Sequence, residues 1–436
     1  MKKTKRTVSI LLTAAMLTTA IPMTSFADEI SMKIGSSTAT VNGENVTLDS
    51  EPVIIKERTM LPIRFIAESL GLDVIWNEDT QEVTVKKATG MNIHYKTDEE
   101  IKSENNFNDN MFGLVYDGAI TENKEGEINI HPITYNLNGI KIAANVYTPA
   151  GYKKDGDKKY PAVTVAHPNG GVKEQVAGLF AQKLAENGYI AVAADAAYQG
   201  ASGGEPRMLD TPENRVNDIH GMVDLLSAFP GVDTDRIGML GICGGGGYTT
   251  KAAQTEKRAK AVATLSMFNT GIVRLNGLNN SQVDTINERL AAAAEARSKE
   301  ANGEGVQYPA SRGGSMPTRE EYAAMGPGLY SEGMLYYGYD YAHPRSGGSV
   351  PTKCLLDLVN FDARHNINLI TQPLLMMAGS EADTLYMTKD CFDLASGTDN
   401  KELFLIDGAT HIQTYYVEEY VNQEVNKLIE FFGKNL

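Results

Sequence analysis

From Ile128 to the C-terminus, short apolar runs alternate with longer segments whose apolar positions recur at helical spacing. YPAVTVAHP, YIAVAADA, RIGMLGI, KAVATLSMF, PLLMMAGS and KELFLIDG are apolar enough to be covered on both faces. Between and after them lie KEQVAGLFAQKLAENG, a helix within PENRVNDIHGMVDLLSAF, and the closing VEEYVNQEVNKLIEFFGK. Strands of this kind joined by helices predict an α/β fold: a mostly parallel sheet with helices on both faces, because parallel neighbours need crossover connections. INIHPITYN and IKIAANVYTP meet at Asn138-Gly139, residues that accept positive φ, and predict an antiparallel hairpin leading into the sheet. Residues 269–368 break the alternation, with the helical SQVDTINERLAAAAEARSKEAN and then the tyrosine-dense LYSEGMLYYGYDYAHPRSGG. We read 128–436 as one α/β domain with a helical, tyrosine-rich cap inserted between its sixth and seventh strands.

A different pattern precedes it. ATVNGENVTL alternates about Asn42-Gly43, which predicts a hairpin. IRFIAESLG then reads as a helix, with Pro62 at its first turn and Gly71 where a left-handed cap falls, before the strands DVIWN and EVTVKK. Residues 28–90 are thus a small α+β module. Residues 91–127 are polar and aperiodic, a linker and lead-in.

The first 27 residues stand apart. A basic head, MKKTKR, an apolar run of about 15 residues and small residues at Ser25 and Ala27 predict a secretory signal peptide cut after Ala27. Pro22 breaks the run short of the roughly 20 apolar residues that a spanning helix needs, so no membrane span is expected after signal removal. The chain has 40 Lys and Arg against 55 Asp and Glu; removing Lys2, Lys3, Lys5 and Arg6 leaves 36 against 55, a net charge of −19. That balance argues against a nucleic-acid partner. There are three cysteines, Cys243, Cys354 and Cys391, an odd number that leaves at least one free thiol; whether Cys354 and Cys391 pair stays open.

One of them sits at a chemically suggestive bend. In RIGMLGICGGGGYTT an apolar strand runs into a helix through Gly241-Ile242-Cys243-Gly244-Gly245, the G-x-S-x-G frame with cysteine in place of serine. Such a turn forces positive φ on its central residue and crowds the positions two residues away, which glycine relieves. The helix N-terminus favours negative charge, so a lowered thiol pKa is expected. Downstream, Glu381-Ala382-Asp383 follows one strand and Ala409-Thr410-His411 follows the last. Nucleophile, acid, then histidine is the α/β-hydrolase order. Cys243 is the candidate nucleophile, His411 the base and Asp383 the acid, with Glu381 a rival two residues away. Oxyanion donors are expected from the Gly244 amide and from the loop after YPAVTVAHP, at Asn169, Gly170 and Gly171. His167, Tyr198, Tyr336 and Tyr337 are candidate substrate-binding residues, although the tyrosines are equally suited to packing the cap. No metal ligand set and no organic cofactor is required.

Two family resemblances add to this reading. RTMLPIRFIAESLGLDVIWNEDTQEVTV resembles the copper amine oxidase N-terminal-like module of exported Gram-positive proteins, which implies a stalk or cell-wall association; lacking His and Cys, it is not expected to bind copper. The residues from Ile128 onward, with Gly241-Ile242-Cys243-Gly244-Gly245, resemble the dienelactone hydrolase branch of the α/β-hydrolases. That resemblance implies a secreted or wall-associated hydrolase of carboxylic esters or lactones, acting on a small-molecule acyl substrate through Cys243, Asp383 and His411. An acyltransferase or peptidase with the same triad, or a wall-binding protein with an inactive hydrolase fold, are the other readings.

Overall fold

Asn138 (φ 51°) and Gly139 (φ 86°) both adopt left-handed backbone, as does the Asn42 (φ 50°) and Gly43 (φ 86°) pair, so both hairpins form where the turn chemistry places them. The computed structural model describes residues 29–70, 72–77, 80–87, 90–309 and 317–436. The leader and the Gly71 cap lie outside the described residues.

The large sheet is built from β1 (Ile93–Tyr95), β2 (Asn129–Leu137), β3 (Ile140–Thr148), β4 (Tyr160–Ala166), β5 (Ile190–Ala194), β6 (Val232–Ile242), β7 (Ala259–Leu265), β8 (Leu374–Gly379) and β9 (Lys401–Ile406). Their spatial order is β9-β8-β7-β6-β4-β5-β3-β2-β1. From β5 through β9 neighbours run parallel, while β1, β2 and β3 pair antiparallel. Every residue of β5 and β8 is buried, which explains their unbroken apolar runs. Because β4 lies between β5 and β6, the connections after β4 and β6 leave in opposite directions. A crevice opens at the carboxyl ends of those two strands, where open α/β sheets bind ligands.

The lead-in is more than a linker. Ile93–Tyr95 adds a ninth strand against β2, and Thr97 and Glu100 form a reciprocal capping box that starts the helix Asp98–Glu104. Phe112, Leu114 and Tyr116 are buried in the main core. The polar stretches KTDEEIKSENNFNDN and TENKEGE on either side concealed the short apolar run MFGLVY that carries these residues.

The N-terminal module consists of short antiparallel ladders, Ile30–Met32 with Thr38–Val41 and Glu44–Thr47, Val53–Ile55 with Arg58–Met60, and Leu72–Asn77 with Glu82–Lys87, around the helix Ile63–Ser69. Pro62 is that helix's N-cap. Trp76, the single tryptophan, is about half exposed.

The cap contains helices Thr270–Asn276, Ile286–Ala301, Arg319–Ala324, Leu329–Leu335 and Leu355–Leu358, with a π-turn over Tyr336–Asp340. It is fastened to the loops of the crevice. Gly347 N–H donates to Gly170 O (2.7 Å), Gln175 Nε2 to Tyr341 O (2.8 Å) and Thr410 Oγ1 to Glu332 Oε1 (3.0 Å). Beneath it, Lys173 Nζ bridges Glu174 (2.5 Å) and Asp195 (2.9 Å) in full burial, and Arg345 of the cap reaches the same Glu174.

Candidate active site

The crowding at the end of β6 accounts for its glycines. A Cβ on Gly241 would fall on Thr249 Oγ1 and Gly245 O, one on Gly245 on the carbonyl oxygens of Ala166 and His167, and one on Gly247 on Phe268 O. At Gly244 the obstacle is the Asn169 side chain. The helix Gly244–Ala253 therefore packs its first turn directly against the β4 loop and β7. Cys243, at φ 54° and ψ −121°, is the bend itself. Its N–H donates to Leu265 O (3.0 Å), and its carbonyl accepts from Phe268 N (2.9 Å) and Gly247 N (3.2 Å), so this left-handed conformation is held from three sides.

The sulfur faces two backbone donors and a phenol. The N–H groups of Gly244 and Asn169 and the Tyr415 hydroxyl all lie close enough to Sγ to favour its charged form. Two amides, one from the elbow and one from the β4 loop, thus converge on the thiol from different elements. Asn169 is anchored by Nδ2 donating to Thr270 Oγ1 at 2.9 Å. Gly171 takes another part, because its N–H closes a turn onto Pro168 O (3.0 Å). Gly170, at φ 70°, gives its carbonyl to the cap.

The thiol is not acidified as the helix N-terminus alone would suggest. Burial, with Cys243 only 8% exposed, pushes its pKa above the ordinary value, and the Tyr415 hydrogen bond and the two N–H groups only partly oppose it. His411 is likewise buried, and burial alone pulls its pKa down to about 3. The resting pair is a neutral thiol and a neutral imidazole.

Between them stands Tyr415. His411 Nε2 is 2.9 Å from the Tyr415 hydroxyl, which in turn lies beside Sγ. His411 Nδ1 lies 2.5 Å from Thr384 Oγ1. This corrects the expected acid contact: Asp383, one residue earlier, spends Oδ2 accepting from Leu329 N–H of the cap (3.0 Å), and its Oδ1 is buried without a partner. The N-terminus of the cap helix Leu329–Leu335 has drawn the carboxylate to itself. Glu381 is exposed, so between the two carboxylates only Asp383 is enclosed with the site.

The remaining candidates divide. His167 donates from Nδ1 to Pro168 O (2.7 Å) and accepts at Nε2 from Ala196 N (3.0 Å); with both nitrogens committed, it shapes the β4 loop instead of touching substrate. Burial pulls its pKa to about 4, with the Arg215 cation adding to that. Tyr198 packs its ring on Gly204, and nothing ties it to Cys243. Tyr336 accepts the Val176 N–H and stacks edge-on behind Tyr415, ring centroids 5.5 Å apart, so it is a packing residue. Tyr337 is different: its hydroxyl is buried without a partner and close enough to the sulfur to feel a thiolate. Tyr330 of the cap also senses Cys243 and Asp383.

Sequence reasoning missed Tyr415 and Thr384. The one signal for Tyr415 was its spacing, four residues after His411. Cys354 and Cys391 are free and buried. Among the described residues no group of His, Cys, Asp and Glu is placed to hold a metal ion, and no helix is long and apolar enough to cross a membrane.

Residues 15–85 match the copper amine oxidase N-terminal domain, and residues 138–326 match the X-Pro dipeptidyl-peptidase (S15) family. The former stretch has no His or Cys. YcjY of Escherichia coli is 36% identical over 301 residues, 68% of this chain and 95% of its own. The crystal structure of PA2218 from Pseudomonas aeruginosa superposes with a TM-score of 0.63 at 29% identity, covering 72% of this chain and 96% of that one. The quorum-quenching protein AidA of Acinetobacter baumannii is 23% identical over 69% of this chain and 94% of its own. Sheet order, cysteine elbow and a match along nearly the whole of YcjY lead to one assignment: the chain belongs to the α/β-hydrolase family that includes YcjY, joined to a copper amine oxidase N-terminal domain.

Proposed function

We propose that the protein is an exported hydrolase of carboxylic esters or lactones that forms a thioester on Cys243, in the manner of dienelactone hydrolase-like enzymes. One observation carries the reading: the sulfur sits at a left-handed elbow, faced by the N–H groups of Gly244 and Asn169 and linked through a hydroxyl to His411.

The sulfur attacks the carbonyl carbon, and the oxyanion grows into the two N–H groups, which need no rearrangement to receive it. His411, neutral at working pH, takes the proton and returns it to the leaving alcohol; it then activates the water that frees the acid. Thr384 orients the ring. Asp383 supplies the negative charge that stabilises the imidazolium, using Oδ1 once the cap shifts. The tyrosines Tyr330 and Tyr337 line the acyl side, where the unpartnered Tyr337 hydroxyl offers a hydrogen bond to a polar substituent. Substrate reaches a sulfur that is 8% exposed by movement of the segment 329–341. No cofactor enters the scheme.

The S15 match favours a second reading, cleavage of an amide by the same acyl-enzyme. A screen of short p-nitrophenyl esters, lactones and p-nitroanilides decides between them. Ester or lactone turnover that disappears in Cys243→Ala supports the proposal; anilide turnover alone supports the peptidase; a Cys243→Ala variant as active as wild type removes both. The basic, apolar leader and the N-terminal domain support action outside the cell or at the wall, and the secreted chain is expected to begin at Asp28.

A further inference from the structure

We propose that Tyr415 is a catalytic residue that carries the proton between Cys243 and His411. The inference rests on the acyl-transfer reading and adds a fourth member to its machinery.

The geometry comes first. The Tyr415 hydroxyl lies 2.9 Å from His411 Nε2 and close enough to Sγ to act on it, so a path from thiol to base runs through it. The side chain is held in place. It is 1% exposed, packed edge-on by Tyr336, and carried by the short helix Gln413–Tyr415, whose Thr414 Oγ1 donates to His411 O at 2.6 Å. Histidine and tyrosine therefore belong to one rigid turn. With Nδ1 paired to Thr384 Oγ1, Nε2 is the ring nitrogen that faces the phenol.

A phenol is suited to this position because it donates and accepts through the same oxygen. As sulfur attacks the carbonyl carbon, the S–H bond breaks and its proton passes to the Tyr415 oxygen. The original phenolic proton passes to Nε2. The carbonyl π pair moves onto the oxygen facing Gly244 and Asn169. When the intermediate collapses, the bond to the leaving oxygen breaks and that oxygen takes the Nε2 proton, leaving Tyr415 neutral. In deacylation, water gives a proton to His411 and its oxygen attacks the thioester; the departing thiolate is reprotonated from Nε2 through Tyr415. Burial holds the phenol well above its usual pKa, so a free tyrosinate is not a stopping point and the two transfers are concerted.

The opposing possibility is that the ring only plugs the site. Tyr415→Phe separates the two, since it keeps the ring and removes the oxygen; its fold is checked by circular dichroism and its thermal midpoint. Two measurements are made on wild type, Tyr415→Phe, His411→Ala and the double variant. In the pre-steady-state burst with p-nitrophenyl acetate, the relay predicts that Tyr415→Phe slows acylation by about 100-fold, that His411→Ala adds little to it, and that the wild-type rate curves in H2O–D2O mixtures as two protons in flight require. In alkylation of Cys243 by iodoacetamide, which needs no substrate, it predicts that the thiol titrates at higher pH in Tyr415→Phe. Acylation at or above the wild-type rate in Tyr415→Phe, or an unchanged alkylation profile, overturns the relay. If Cys243→Ala turns over the ester, the acyl-enzyme reading fails by itself, and the alkylation profile still decides whether Tyr415 governs the thiol.

Discussion

His411 is anchored by Thr384: Nδ1 lies 2.5 Å from Oγ1, while the neighbouring Asp383 turns its Oδ2 to the cap at Leu329. A hydroxyl orients the ring but cannot offset the charge of an imidazolium, which agrees with a histidine held at about pKa 3 by burial. Two variants separate orientation from charge. Thr384→Val is expected to lower kcat about tenfold, the worth of one net hydrogen bond. Asp383→Asn is expected to lower it about 100-fold, with the loss concentrated in kcat. Wild-type kcat in Asp383→Asn would remove the carboxylate from the mechanism and leave the ring held by the Thr384 and Tyr415 hydroxyls alone.

The elbow glycines give a stability prediction. A methyl at Gly245 would fall on two backbone oxygens, Ala166 O and His167 O, which cannot swing away as a side chain does. Overpacking of this kind costs about 2–3 kcal/mol, a fall of about 3–5 °C in thermal midpoint for a domain of this size. Far-ultraviolet circular dichroism is the suitable probe, because the sole tryptophan, Trp76, belongs to the N-terminal module. An unchanged midpoint in Gly245→Ala would mean that the β4 loop is free to withdraw.

Acid should weaken the fold before it titrates the chemistry. His131 and His167 are drawn down to about 4, and His343 and His411 to about 3, burial being the main cause in each. With folded values below the unfolded 6.5, each contributes stability that is complete above about pH 6.5 and is lost as pH falls toward 3–4. Asp218 acts in the opposite sense: burial raises it to about 7, so its contribution fades as pH climbs through that value. Greatest stability is therefore expected close to neutrality, and kcat/KM should show no step at pH 6.5, where an ordinary histidine base would protonate. Such a step, in protein shown to be folded, would contradict the burial of His411.

The elbow was legible because its determinants are local. A buried strand, a cysteine and glycines on either side specify a bend whatever surrounds it, and His411 follows from its place after the last strand. The position of the Gly244 and Asn169 N–H groups beside the sulfur was legible for the same reason, being backbone. Side-chain contacts between loops were not. Thr384 and Asp383 are neighbours in one loop, and only the packed cap, through Leu329 N–H, decides which of them meets the ring. The thiol's raised pKa was equally hidden, because it depends on how completely the cap covers Cys243, a property of the 269–368 insertion and not of the helix that follows the sulfur. In the lead-in, the capping box at Thr97 and Glu100 was present in the sequence but outweighed by the polar composition around it.

The central claim is that Cys243 carries the acyl group. Intact-mass analysis of enzyme quenched in acid during turnover of a p-nitrophenyl ester tests it directly, followed by peptide mapping of the modified residue. The account predicts a gain of one acyl group, located on Cys243 and absent in Cys243→Ala, whose turnover is lost. Turnover without any acylated enzyme, or an acyl group on another residue while Cys243→Ala keeps the wild-type rate, would contradict it.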